Sequence, residues 1–167
     1  SDEPLVRDVP LGEKLHHGTP SGIDNTVVTY ALPVVFRRGQ PLEILRLTKP
    51  FTVVIGDTGI QSSTALAVGD LRRDWQADPA YYEALFDAVG EIVQQARQAI
   101  ESGAPEGMGA LMNANHGYLQ QMGVSAPELD RLVDAALSAG ASGAKLSGGG
   151  RGGSSFDVIR PFFLCGL

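Results

Sequence analysis

Glu13 and Asp24 are two carboxylates eleven residues apart in 13-EKLHHGTPSGIDNT-26, with Gly18, Pro20 and Gly22 between them. Glycine is costly to order and proline fixes φ, so a segment this rich in both reads as a tight turn. Two carboxylates flanking such a turn can hold a hard divalent cation. Alternatively, one holds the metal while the other handles a proton. A purely structural turn remains open, with Thr19 and Ser21 bonding the backbone. His16 and His17 are adjacent and face different ways on a helix, and no Cys/His cluster has zinc-ligand spacing.

Two further stretches could do chemistry. In 143-GAKLSGGGRGG-153 a short strand runs into consecutive glycines beside Lys145 and Ser147. Such a run lets several backbone N–H groups converge on a phosphate, or lets another glycine-rich loop approach; the alternative is a flexible linker. It is neither a G-x-x-x-x-G-K-[ST] loop nor a strand–G-x-G-x-x-G–helix unit. The third stretch, 57-DTGIQSST-64, is a strand end followed by a hydroxyl-rich helix start. A helix start attracts anions, but ordinary N-capping explains the same residues.

The elements that must position these residues change character along the chain. Residues 1–12 show no periodicity. TVVTY, LPVVF, PLEILRL and FTVVIGDTG are strand-like, the last of buried type, so residues 26–56 predict an antiparallel meander. Helical spacing follows in QSSTALAVGDLRRDW. A second helix opens at Pro79 and ends at Gly103, with Leu85, Val89, Ile92, Val93, Ala96 and Ile100 on one face. A third runs from Pro105 to Met122 with Met108, Leu111, Met112, His116 and Leu119 as its stripe. Ser125 is expected to cap a fourth, which carries Pro127 and Glu128 in its first turn and ends at Gly140. SSFDVI is read as a last strand. Strands, then helices, then a glycine loop and a strand make the fold class α+β.

Composition narrows the partners. A net charge of −6 over 167 residues argues against nucleic acid or an anionic membrane surface, though not against a phosphate held by backbone amides. Cys165 is the single cysteine, so no internal disulfide forms. No apolar run approaches the ~20 residues of a membrane span, and no signal peptide is visible, so a soluble cytoplasmic protein is expected.

Taken in order, the three stretches resemble the GHMP kinase superfamily, and within it the mevalonate kinases. That family has an acid eleven residues before the aspartate of H-G-x-P-S-G-x-D-N, matched by Glu13 and 17-HGTPSGIDN-25. Its T-x-x-x-x-S-T segment is matched by Thr58 with Ser63 and Thr64. Its G-A-K-L-[ST]-G-x-G motif is matched by residues 143–150. LMNANH at 111–116 looks most like mevalonate kinase. The resemblance implies a GHMP-kinase-like fold, with residues 1–50 a remnant of the N-terminal kinase domain and residues 51–167 the C-terminal domain. It implies ATP and Mg²⁺ as cofactors and mevalonate or a similar small alcohol as substrate. Asp24 would be the catalytic aspartate and Glu13 the metal ligand. Ser147, Gly148, Gly149 and Gly150 would serve the nucleotide, and His17, Ser21, Thr58, Ser63 and Thr64 the substrate side. A homodimer is compatible with the family.

The family's P-x-x-x-G-L-G-S-S-A phosphate loop and its N-terminal lysine are matched nowhere in residues 1–12, and SSFDVIRPFFLCGL departs from the family's closing strand. The chain therefore resembles the C-terminal half of such an enzyme and is expected to be inactive alone, exposing apolar surface that favours self-association. Two alternatives stand beside this reading. One is a truncated, non-catalytic GHMP-fold paralogue acting as a binding or structural module. The other is a kinase for another small alcohol, such as phosphomevalonate or homoserine.

Overall fold

The computed structural model describes residues 33–37, 40–41, 43–60 and 63–151, together with the backbone of 156–160. Glu13, His17, Ser21 and Asp24 lie outside the described residues, as does the TVVTY strand. The chain divides into two units, one up to Leu47 and one from Thr48.

In the first unit, β1 (Val34–Val35) pairs antiparallel with β2 (Glu43–Ile44), placing Val34 opposite Ile44. Leu45 N–H donates to Pro33 O at 2.8 Å and extends the pair. This much of the expected meander forms.

The next strand, β3 (Thr52–Gly56), does not continue it. β3 belongs to a separate three-stranded sheet of order β3-β5-β4, formed with β4 (Gly143–Leu146) and β5 (Phe156–Arg160), all neighbours antiparallel. Thr52 stands opposite Arg160, and Gly143 opposite Ile159. The buried character expected of FTVVI also fails, because Val53, Val54 and Ile55 are 44–66% exposed. β3 lies at one edge of the sheet, whereas the helices pack over β4 at the other.

Among the described residues, four helices follow the sequence periodicity closely: α1 (Thr64–Ala77), α2 (Pro79–Glu101), α3 (Met108–Gln121, preceded by a 3₁₀ turn at Pro105–Gly107) and α4 (Pro127–Ser138). Asp78 joins the first two. Its N–H closes α1 on Asp74 O at 3.0 Å, and its carboxylate accepts from Tyr81 N–H at 3.2 Å to start α2, with Pro79 in the first turn. Asp78→Ala should therefore cost about 1 kcal/mol of unfolding free energy, read as a lower urea midpoint.

α3 ends where Gly123 takes φ +69°, with Gly123 N–H bonded to Gln120 O and Val124 N–H to Leu119 O. Paired bonds of this kind satisfy the last carbonyls and need a left-handed residue, which glycine supplies. α2 and α4 end in the same way.

Among the described residues, two apolar clusters hold the helices. Leu129, Val133, Ala144 and Leu146 join α4 to β4, with Leu119 and Val124 packed against them. Leu129 is 1% exposed and Ala144 is fully buried. Met108 and Met112 form the second cluster with Phe51, Ala96, Ala99 and Ile100, joining α2, α3 and the entry to β3. Burial of these faces supplies the stability that helix propensity alone would not.

Candidate functional site: the glycine loop and its supports

β4 delivers the glycine loop, and α3 holds β4 in place. The strand lies at the sheet edge, so its Ala144 and Leu146 N–H groups need acceptors other than a neighbouring strand. Two side chains of α3, three residues apart on one face, supply them. Asn113 Oδ1 accepts from Ala144 N–H at 2.9 Å, and His116 Nδ1 accepts from Leu146 N–H at 3.3 Å. His116 is 5% exposed, and its Nε2 faces Asp130 Oδ1 on α4 at 3.1 Å. The tautomer with its proton on Nε2 satisfies both contacts.

Asp130 also accepts from Ser125 Oγ at 2.6 Å. This corrects the expected cap: the residue preceding α4 is Ala126, which makes no side-chain cap, and Ser125 is spent on Asp130 instead. Burial raises the Asp130 pKa, but hydrogen bonds from Ser125, Gln120 and His116 outweigh it and leave the carboxyl below its ordinary value.

Past Leu146 the chain turns through Ser147 and Gly148 to Gly150. The glycines at 149 and 150 are demanded by packing. A Cβ on Gly149 would lie 2.1 Å from Thr64 Oγ1, and one on Gly150 would lie 2.1 Å from Val124 O. The loop thus rests on the first residue of α1 on one side and on the α3–α4 turn on the other. This is no flexible linker: Arg151 closes the loop with a φ of +51°, its N–H bonded to Val124 O at 2.9 Å. Its Nε donates to Gly123 O at 3.0 Å, and its Nη1 pairs with Asp70 of α1. The Arg151 guanidinium, opposed by burial and assisted by Arg73, holds the Asp70 carboxyl below the usual aspartate range.

Of the site residues expected from sequence, the structure brings Thr64 together with Gly149. Thr58 and Ser63 do local work: Thr58 Oγ1 accepts from Ile60 N–H at 3.2 Å, and Ser63 Oγ caps α1 by accepting from Leu66 N–H at 3.4 Å. Asp57 Oδ1 accepts from Gly59 N–H at 2.9 Å in the same turn. At Ser63 the N-capping explanation is therefore the one observed. Ser147 is half-buried between β4 and the glycines. Among the described residues no group of three or more His, Cys, Asp or Glu side chains could hold a metal ion. No helix among them is long and apolar enough to cross a membrane.

Sequence reasoning missed Asp130, Asp70 and Arg151, and placed Asn113 and His116 in the LMNANH segment, His116 also in an apolar stripe, without giving either a role at the loop. An arginine set among glycines and a histidine on a helix stripe were the available signals.

Comparison with known proteins agrees with this architecture. Residues 96–159 match the family described as GHMP kinases C terminal. The mevalonate kinase of Aeropyrum pernix is 37% identical over 161 residues, which cover 96% of this chain and 50% of that enzyme. The mevalonate kinase of Pyrococcus horikoshii is 38% identical over 153 residues, covering 87% and 44%. The crystal structure of L. major mevalonate kinase in complex with R-mevalonate superposes with a TM-score of 0.85 at 38% identity, covering 94% of this chain and 50% of that one. The chain spans about half the length of the relatives it matches. With its α+β fold, its glycine loop and these likenesses, it belongs to the GHMP kinase superfamily, as a mevalonate-kinase-like chain carrying the superfamily's C-terminal domain.

Proposed function

We propose that this chain forms the C-terminal part of an ATP-dependent kinase that phosphorylates the hydroxyl of mevalonate. Residues 51–167 are assigned to the C-terminal domain and residues 1–50 to the end of the N-terminal kinase domain. The observation that carries the reading is the likeness at 38% identity to a mevalonate kinase crystallised with R-mevalonate, joined to the 17-HGTPSGIDN-25 and 143-GAKLSGGG-150 segments.

Phosphoryl transfer needs little covalent chemistry from the protein; positioning and charge stabilisation do most of the work. In this reading Asp24 orients the substrate hydroxyl and accepts its proton, while His17 and Ser21 line the substrate side of the same segment. The loop from Ser147 to Gly150 faces the nucleotide, with Thr64 behind it. Glu13 is the residue assigned to Mg²⁺, an assignment that rests on the family motif. The metal ion, when bound, neutralises charge on the transferring phosphoryl group.

The test is a titration of the ¹⁵N-labelled chain with MgATP and with R-mevalonate, run beside a coupled ADP-release assay. MgATP is expected to shift the amides of Thr64 and Gly148–Gly150, and mevalonate to shift residues of the 17–25 segment. The 167 residues contain no P-x-x-x-G-L-G-S-S-A segment, so by themselves they are expected to release no ADP above background. Mevalonate-dependent turnover would overturn the division of labour proposed here. Silence of the loop amides at millimolar MgATP would sink its nucleotide role. Phosphomevalonate or homoserine displacing mevalonate from the 17–25 segment would move the substrate assignment to that alcohol.

A further inference from the structure

The residue that follows the glycine loop is the wrong type for its backbone. A left-handed φ costs an L-residue about 1–2 kcal/mol, and glycine at position 151 would adopt +51° without that cost. The backbone bond from residue 151 to Val124 O would survive with glycine there. What the arginine adds is a side chain that reaches two separate elements: Gly123 O in the α3–α4 turn, and Asp70 on α1. An arginine can do this because its guanidinium offers several donors in a fixed plane.

Both ends of the loop are held. At the entry, Leu146 N–H is held by His116, which is tied to Asp130 and through it to Ser125. At the exit, Arg151 is tied to Gly123 and Val124. The α3–α4 turn therefore anchors the exit directly, α3 and α4 hold the entry through His116 and Asp130, and the Asp70 arm adds α1, whose first residue already touches Gly149. Both partners of that arm are about one-third exposed, so charge alone contributes little; the geometry of the bonds is what fixes the loop.

We propose that Arg151 is a positioning residue, which holds Gly148–Gly150 in one arrangement by tying the loop exit to α1 and to the α3–α4 turn. What the loop is held ready for, a nucleotide phosphate, rests on the kinase reading; the clamp itself does not.

The experiment compares native-state amide exchange by NMR in the wild-type chain and in Arg151→Ala, Arg151→Gly, Arg151→Lys and Asp70→Ala. Exchange at the amide of residue 151, which closes the loop on Val124 O, should rise about tenfold or more in Arg151→Ala, while amides in the middle of α2 stay unchanged. Arg151→Gly should loosen the loop equally yet leave global stability unchanged or raised, because it removes the left-handed cost. A residue with a merely structural role would move both readouts in the same direction. Arg151→Lys should restore part of the protection, and Asp70→Ala should remove part of it. Unchanged loop exchange in Arg151→Ala and Arg151→Gly would overturn the clamp. MgATP is the binding probe: its apparent Kd, read at the loop amides, should rise several-fold in Arg151→Ala. Equal affinity in the wild type and a loosened variant would overturn the positioning role. A wild-type loop that ignores MgATP would sink the kinase reading and the nucleotide role together, while the exchange data still decide the clamp.

Discussion

Gly143→Ala should cost about 3 kcal/mol or more, the upper end of what overpacking does in a core. At this point β4 and α3 meet backbone to backbone. A Cβ on Gly143 would lie 2.1 Å from Gly109 O and 2.4 Å from Gly109 Cα, and one on Gly109 would lie 2.3 Å from Ser142 O. No side chain is available to rotate away, so the helix or the strand must shift as a body. That shift would pull Ala144 N–H away from Asn113 and Leu146 N–H away from His116, loosening the strand that delivers the glycine loop. Gly109→Ala should cost a similar amount. The double variant should cost less than the sum, because one displacement relieves both clashes. Gly117, also on α3, is the control: open space surrounds its missing Cβ, so Gly117→Ala should stabilise by about 0.5–1 kcal/mol. Urea midpoints at unchanged slope read all four. A Gly143→Ala variant within about 0.5 kcal/mol of wild type would show that the two backbones are not held at this distance.

The helices were legible because their signals are local. Pro79 and Pro127 fall in first turns, Gly103, Gly123 and Gly140 follow last turns, and the apolar stripes repeat at helical spacing. Strand partners are not local. Nothing near Thr52–Gly56 indicates that its neighbour is Phe156–Arg160, about a hundred residues on, rather than the strand just before it. The exposure of β3 follows from that pairing and could not be read from its apolar composition. Ser125 was misread for a related reason. A serine two residues before a proline looks like a helix cap, but Asp130, brought round by the first turn of α4, competes for its hydroxyl and wins. The site was legible as motifs rather than as geometry. The sequence marks Gly149 and Gly150 as unusual, whereas only the fold shows that Thr64 and Val124 occupy the space where their side chains would be. Arg151, which looks like an interruption of a glycine run, turns out to be the residue that fastens it.

His116 carries the second large effect. His116→Leu should destabilise by about 2–4 kcal/mol. Leucine fills much of the same volume but leaves the buried Leu146 N–H without its acceptor and Asp130 without one of its donors. His116→Asn should recover part of the loss, since its carbonyl can take the place of Nδ1 toward Leu146 but cannot reach Asp130. A double-mutant cycle with Asp130→Asn separates the two contacts, and a coupling energy indistinguishable from zero would mean that the His116–Asp130 contact adds nothing to stability. The same network sets a pH dependence. The Asp130 carboxyl, raised by burial but lowered further by Ser125, Gln120 and His116, has a folded pKa below the ordinary aspartate value of 3.8. Its contribution is therefore complete above that value and is lost as pH falls through the lower folded one. Asp130 is about one-third exposed, so solvent screening keeps this contribution modest. Unfolding measured from pH 6 down to pH 2.5 should show wild type losing its advantage over Asp130→Asn across that window. A constant difference between the two proteins would mean that Asp130 ionises alike in the folded and unfolded chains. Both measurements bear on the glycine loop, because the bond from Leu146 to His116 is the last fixed point before Ser147 and the loop begin.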